Sequence, residues 1–230
     1  MAETALIVGS GSGLSASLAR LCHKEGMRLA LAARGPEKLA QLCAETGAEA
    51  YACDASRRDQ VDGLFARVAA ELGPLDLVIY NPSYRTRGAL IELDPEEVLK
   101  AVTVTCYGGF LVAQQAVRAM LKQGRGTILF TGASASVKGY PHSAPFAMGK
   151  FGLRGLAQSM ARELGPQNIH VAHVVIDGGI RRGGDSRANE RGPDGLLDPD
   201  AIAAVYLQLH RQHRSAWAAE IELRPWVEKF

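Results

Sequence analysis

Apolar and polar positions alternate along this chain in blocks rather than residue by residue. Seven short apolar runs stand out, at residues 5–8, 28–33, 49–53, 75–80, 126–131, 169–176 and 216–223. The first six, largely without polar alternation, read as strands buried on both faces, and 216–223 reads as a seventh strand. The segments between them carry apolar residues at helical spacing. In the first, Leu14, Leu18, Leu21 and Cys22 share one face, and that helix is expected to end near Gly26. A second helix is predicted over 36–46 with proline in its first turn, and a third over 57–72, stopped by Gly73-Pro74. Asp94-Pro95-Glu96-Glu97 reads as an N-cap followed by an acidic first turn, opening a long helix expected to run to Lys122. Further helices are predicted over 144–164 and, capped by Asp198, to about residue 212. Such alternation predicts a parallel sheet covered on both faces, with right-handed crossovers and ligands at the carboxyl ends of the strands. The residues that end each strand are therefore the first candidates for function: Gly9, Arg34, Asp54, Asn81, 131–134 and 177–180.

The first strand runs into Gly9-Ser10-Gly11-Ser12-Gly13-Leu14, and a helix starts there. A glycine loop between a strand and a helix N-terminus is a phosphate site, because loop amides and helix dipole point at the anion and missing side chains let it approach. The spacing is not G-x-G-x-x-G, since Ala16 stands where the third glycine would fall. If the loop holds a dinucleotide, the ribose lies beside the end of strand two. Ala33 and Arg34 offer no acid there for a 2′-hydroxyl, whereas a guanidinium suits a 2′-phosphate. NADP(H) is therefore favoured over NAD(H).

With these residues in hand, the chain resembles the short-chain dehydrogenase/reductase family over roughly residues 4–180. Gly9 to Ser15 is similar to that family's T-G-x-x-x-G-I-G loop, with Val8 for the threonine and Ser15 for the last glycine. Asp54 matches the strand-three acid that hydrogen-bonds the adenine. Asn81 matches the first residue of N-A-G, with Pro82 and Ser83 replacing the other two. Lys150 matches the lysine of Y-x-x-x-K, and the segment after it looks like the active-site helix. The resemblance implies a Rossmann-like, doubly wound α/β fold, with a seven-stranded parallel sheet in the order 3-2-1-4-5-6-7 and helices on both faces. It implies a single dinucleotide-binding domain over 1–230. Cofactor contacts are expected at Gly9, Ser10, Ser12, Gly13 and Leu14, at Arg34, Asp54 and Ala55, at Asn81 and Pro82, and at Lys150, Gly178 and Ile180. Residues 181–197, rich in Gly, Asp, Ser, Asn and Pro, correspond to the family's substrate lid and are read as mobile. A homodimer or homotetramer is implied as well.

The catalytic positions depart from the family. Its tyrosine falls on Phe146, its serine on Ala133 and its helix asparagine on Thr105, so only Lys150 is kept. Hydride transfer to a carbonyl leaves an alkoxide that must be protonated, and the family uses a phenol whose pKa of about 10 is lowered by the lysine. Phe146 has no such proton. Candidate replacements beside Lys150 are Ser134, Tyr140 and His142, together with Asp177, an unusual carboxylate in a cleft. Three readings follow: an oxidoreductase on a small carbonyl or alcohol with a non-standard proton donor, a cofactor-binding protein without dehydrogenase activity, or an enzyme using the cleft for different chemistry with Asp177 or His142 as base.

Other features change the picture little. The net charge of +2 gives no reason to expect nucleic acid, and no apolar run approaches a membrane span. No secretory signal is visible, and the four cysteines lack C-x-x-C spacing and read as buried reduced thiols, so the expectation is a cytoplasmic protein. Gly132-Ala-Ser134-Ala-Ser136 lacks the last glycine of a nucleophile elbow. His210 and His213 are expected on a solvated basic helix face rather than as metal ligands, and no metal site is expected. Trp226 and Phe230 are expected to pack either on a neighbouring subunit or on the same one.

Overall fold

The computed structural model describes residues 2–228. Seven strands form one parallel sheet, β1 (Thr4–Val8), β2 (Arg28–Ala33), β3 (Glu49–Ala52), β4 (Leu77–Tyr80), β5 (Gly126–Thr131), β6 (Ile169–Ile176) and β7 (Glu220–Leu223), in the order β3-β2-β1-β4-β5-β6-β7. Register is regular: Val8 pairs with Ala32 on one side and with Tyr80 on the other. The order reverses between β1 and β4, and this places their carboxyl ends at the crevice where such sheets bind ligands.

Helices cover both faces because the central strands are apolar on both. Every residue of β1, β4 and β6 is buried. One face packs on α1 (Leu14–Lys24), α2 (Ala40–Thr46) and α8 (Pro199–His210), joining Ile7, Leu31 and Ile79 to Leu18, Leu42 and Ile202. The other packs on α3 (Arg58–Leu72), α5 (Gly108–Gln123) and α6 (Ala144–Leu164), joining Leu6, Val78 and Phe130 to Val61, Val112 and Leu153. Burying a side chain of this size contributes about 1.5–3 kcal/mol.

Three expected elements differ. The long helix is broken into α4 (Pro95–Val102), a π-helical turn (Thr103–Tyr107) and α5. The cause lies at the end of β4. The Tyr80 hydroxyl donates to the Val104 carbonyl at 2.5 Å, and the Tyr84 amide donates to Thr105 Oγ1 at 3.2 Å. Capturing a carbonyl from outside the ladder leaves one residue looped out of the helix. The second helix begins as a 3-10 turn over Pro36–Leu39. The last strand starts at Glu220 rather than 216, because Trp217 turns aside to stack on His170, with ring centroids 4.8 Å apart. The proposed lid segment contains a short helix, α7 (Arg187–Arg191).

His210 also departs from expectation. Its side chain is only 6% exposed, bonded through Nδ1 to Thr127 Oγ1 at 2.9 Å, with Glu3 beside its Nε2, so it does not belong to a solvated face; His213 is exposed and caps the next turn. Cys22 and Cys53 are buried, which pushes their thiols up to about 12 and about 11, whereas Cys43 and Cys106 are half-buried. Trp226 packs on the same chain, its indole N–H donating to the Pro193 carbonyl at 3.3 Å; Phe230 lies outside the described residues.

Burial pushes the His173 imidazole down to about 4, and the Glu220 carboxylate, 3.0 Å from its Nδ1, only partly offsets this. A histidine depressed from 6.5 is neutral in the fold and charged in the unfolded chain between these values. The associated stability is present above pH 6.5 and lost progressively as pH falls toward 4, a loss on the order of 3 kcal/mol. Urea unfolding midpoints at pH 7, 6 and 5 are expected to fall in that order, and His173→Gln to flatten the trend.

Candidate active site and nucleotide cleft

The site is built at the carboxyl ends of β1, β4, β5 and β6. Gly9 ends β1 with φ of 81°, a left-handed conformation that glycine adopts without strain. Position 9 also faces the ring of Pro82, which a Cβ would meet at 2.7 Å. Backbone approach of the two strand ends thus fixes glycine here. Asn81 completes the join: its Nδ2 donates to Ser15 Oγ at 2.8 Å, and Ser15 Oγ donates to the Gly9 carbonyl at 3.0 Å. Ser10 folds back on the Ile7 carbonyl at 2.8 Å. Beyond this knot the loop opens. At Gly11 and Gly13 a Cβ would meet nothing within 4 Å, so these glycines face space rather than packing. Gly13 is the N-cap of α1, whose first turn carries no acid. An anion is suited to that position by the helix dipole and the free first-turn amides.

Two cavities adjoin the loop. One, of about 310 Å³, is lined by Ser10, Arg34, Asp54, Ala55, Asn81 and Pro82 among others. Arg34 is exposed, and among the described residues no ion pair holds it. Burial pushes the Asp54 carboxyl up, but hydrogen bonds from the Ser56 hydroxyl and amide and the charges of Arg34 and Arg57 outweigh this and hold it below its ordinary value. The other, of about 440 Å³, is lined by Gly9, Gly13, Leu14, Ser134, Phe146, Lys150, Gly178 and Ile180, and by residues not foreseen from sequence. Of the expected cofactor contacts, only Ser12 at the loop tip lines neither. This donor set fits a dinucleotide: an open glycine cradle for a pyrophosphate, a cation at the ribose end and a lysine at the other.

Lys150 is buried on α6, and its Nζ donates to the Thr131 carbonyl at 2.6 Å. Burial, with the Arg85 charge nearby, pushes the amine down to about 7. Thr131 is itself held by the Tyr206 hydroxyl, which donates to its Oγ1 at 2.8 Å. Phe146 is buried one turn before Lys150, and the Arg85 guanidinium lies 4.0 Å from its ring centroid. Ala133 is held by the Ser136 hydroxyl, which accepts its amide N–H at 3.1 Å. Ser134 is the hydroxyl of this turn that reaches the cavity.

The other three candidate proton donors are not brought to the cavity wall. Asp177 is buried behind it, bridged to Lys138 at 3.1 Å and to Arg224 at 2.9 Å. Burial raises its carboxyl, but hydrogen bonds from Ser134 and Lys138 and the charges of Lys138 and Arg224 hold it low, so its carboxylate is engaged in ion pairs behind the cavity wall. Tyr140 and His142 are exposed on the loop before α6 and line neither cavity. His142 adopts φ of 59°, and its carbonyl accepts the Gly88 amide at 3.2 Å, so the position serves the loop's shape. Sequence reasoning missed Arg85, Arg182 and Arg187. They lie in segments without periodicity, and nothing in spacing ties Arg85 to Phe146.

Comparison with known proteins agrees with this geometry. The short chain dehydrogenase family model matches residues 3–183, and the chain belongs to that family. It is 28% identical over 197 residues to the 3-oxoacyl-(acyl-carrier-protein) reductase MabA of Mycobacterium tuberculosis, covering 86% of this chain and 77% of that one. A short-chain dehydrogenase from Rhodopseudomonas palustris superposes with a TM-score of 0.85 at 36% identity, covering 97% of this chain and 99% of that one. A variant actinorhodin polyketide ketoreductase solved with NADPH superposes with a TM-score of 0.88 at 27% identity, covering 97% and 96%. Among the described residues no helix is long and apolar enough to cross a membrane.

Gly9→Ala is expected to cost roughly 1–3 kcal/mol from the left-handed backbone alone, and more from the clash with Pro82. A urea midpoint equal to that of the parent protein would show that the join between β1 and β4 is looser than described.

Proposed function

We propose that this protein binds NADP(H) and is an oxidoreductase on a small carbonyl or alcohol, with Lys150 as its proton donor in place of the family's tyrosine. The observation that carries this reading is Lys150 itself. It lines the cavity beside Phe146, with no phenol to relay a proton, and burial brings its ammonium to a pKa of about 7, where a general acid works best. A bound nicotinamide supplies the hydride to a carbonyl carbon or takes it from an alcohol. The chain's part is to turn the Ser134 hydroxyl from the Asp177 carboxylate onto the carbonyl oxygen and to give that oxygen a proton from Lys150 Nζ, which the Thr131 carbonyl orients. Arg34 takes the 2′-phosphate, the glycine loop with Leu14 the pyrophosphate, Asp54 and Ala55 the adenine, and Gly178 and Ile180 the nicotinamide end. Solved relatives titled as complexes with NADPH and NADP support this choice of cofactor. Residues 181–197 act as the lid, and exposed Tyr107, Phe110 and Phe151 support a homodimer or homotetramer.

A second reading, a nucleotide-binding protein without dehydrogenase activity, is favoured by Phe146 and Ala133 at the positions of the family's tyrosine and serine. NADPH binding with no turnover across a broad carbonyl panel would select it.

Titration with NADPH and NADH, followed by nicotinamide fluorescence, tests the cofactor assignment. NADPH is expected to bind the more tightly. Arg34→Ala is expected to weaken NADPH by about 10–100-fold, the worth of a charge-assisted bond, and to spare NADH. No binding of either nucleotide would overturn the reading.

The donor assignment has its own test. Reduction rates are expected to fall as pH rises through about 7, where Lys150 loses its proton. Lys150→Met is expected to lower kcat by about 10²–10⁴-fold and to abolish that limb of the profile. A surviving limb would place the proton on another group.

A further inference from the structure

Among the described residues, four cations line the larger cavity, Arg85, Lys150, Arg182 and Arg187, and no carboxylate does. Arg187 is neutralised by Asp185 at 2.6 Å. A dinucleotide brings its own anions, but these have their places: the pyrophosphate at the glycine loop and α1, and the 2′-phosphate at Arg34 in the neighbouring cavity. Arg85 is used by neither. It follows β4 in the loop after Asn81-Pro82, and its guanidinium lies 4.0 Å from the centroid of the Phe146 ring, while Lys150 Nζ lies 5.9 Å from the same centroid.

That arrangement is costly for the protein alone. Partial burial and the neighbouring Arg87 both act against the Arg85 charge, and Arg85 in turn acts against the charge on Lys150. Like charges crowded in a partly enclosed space are relieved by an anion placed between them. A guanidinium set against an aromatic ring is steadied by cation–π attraction and keeps N–H donors at its edge for a planar, two-oxygen acceptor. Phenylalanine at 146 also acquires a use. It supplies the platform that a tyrosine's ring would supply, without a hydroxyl that would compete for the same acceptor.

We infer that Arg85, carried on Phe146, is the specificity residue of this site and binds a substrate carboxylate, so that the substrate is a small oxo acid or the corresponding hydroxy acid. This rests on the oxidoreductase reading above. The substrate spans the cavity with its carboxylate on Arg85 and its ketone at Ser134 and Lys150. In reduction the carbonyl π bond breaks, the carbon gains the hydride that the cofactor loses, and the oxygen gains one proton; the carboxylate is unchanged throughout.

The test uses the whole protein with NADPH and matched pairs: pyruvate against methyl pyruvate, and acetoacetate against methyl acetoacetate. Binding of oxamate and malonate to the protein–NADPH complex is measured by calorimetry, which needs no turnover. At least one acid is expected to exceed its ester in kcat/KM by about 10–100-fold, and at least one of the two inert acids to bind. In Arg85→Met the acid-to-ester ratio is expected to collapse toward one, through KM for the acid, and binding of the inert acid to be lost. Arg85→Lys, which keeps charge but not the fork, is expected to recover only part of either. Equal use of acids and esters, or no binding of either inert acid, would overturn the inference while leaving NADPH binding and the parent reading intact. Loss of NADPH affinity in Arg85→Met would overturn it by assigning Arg85 to the cofactor. Failure of the unaltered protein to bind NADPH would instead sink the parent reading.

Discussion

Parallel strands joined by crossover helices all end on the same edge, and every functional position in this chain inherits its place from that constraint. The strands hold together because apolar helices cover both faces, so the sheet is buried while its carboxyl edge stays wet. At that edge β1 and β4 approach closely, where Gly9 meets Pro82 and Asn81 reaches across to Ser15. The glycine loop is thereby anchored on its strand side and open on its solvent side. A phosphate cradle needs that combination, since an amide that moved to meet its anion would lose part of the benefit in ordering entropy.

On the proposed reading, the same edge carries the family's chemistry on other groups. Phe146 offers a ring without a proton. Lys150 stays buried, fixed by the Thr131 carbonyl, and its environment makes the ammonium easier to deprotonate. Arg85 adds a charge that the ring supports. Asp177 shows the opposite case, a carboxylate beside the site that Lys138 and Arg224 have drawn into structural work. Which ionisable group faces the cavity decides the chemistry, and one turn of loop separates the two outcomes.

The C-terminal segment reinforces this edge. Arg224 reaches Asp177, Pro225 lies where it would contact a Cβ at Gly178, and Trp226 donates to Pro193. Arg191 pairs with Glu228 at 2.6 Å. Residues 224–228 therefore lie against the segment after β6 and are coupled to it through packed contacts rather than through the sheet.

Much of this molecule was legible in its sequence. Buried strands need uninterrupted apolar runs, helices need a repeated face, and the two periods differ, so the alternation of elements and the strand ends could be read directly. Gly9, Arg34, Asp54 and Asn81 were singled out because a strand end is a local feature, and Lys150 because it matches the lysine of Y-x-x-x-K. The π turn in the long helix was not, since its cause is Tyr80 and Tyr84 reaching in from β4. Nor was the enclosure of the His210 side chain, which depends on Thr127 of β5 and Glu3 just before β1. The withdrawal of Asp177 and the approach of Arg85 to Phe146 were invisible for the same reason. A local pattern reports which face a residue occupies, whereas its partner across the fold is chosen only when distant segments are packed together.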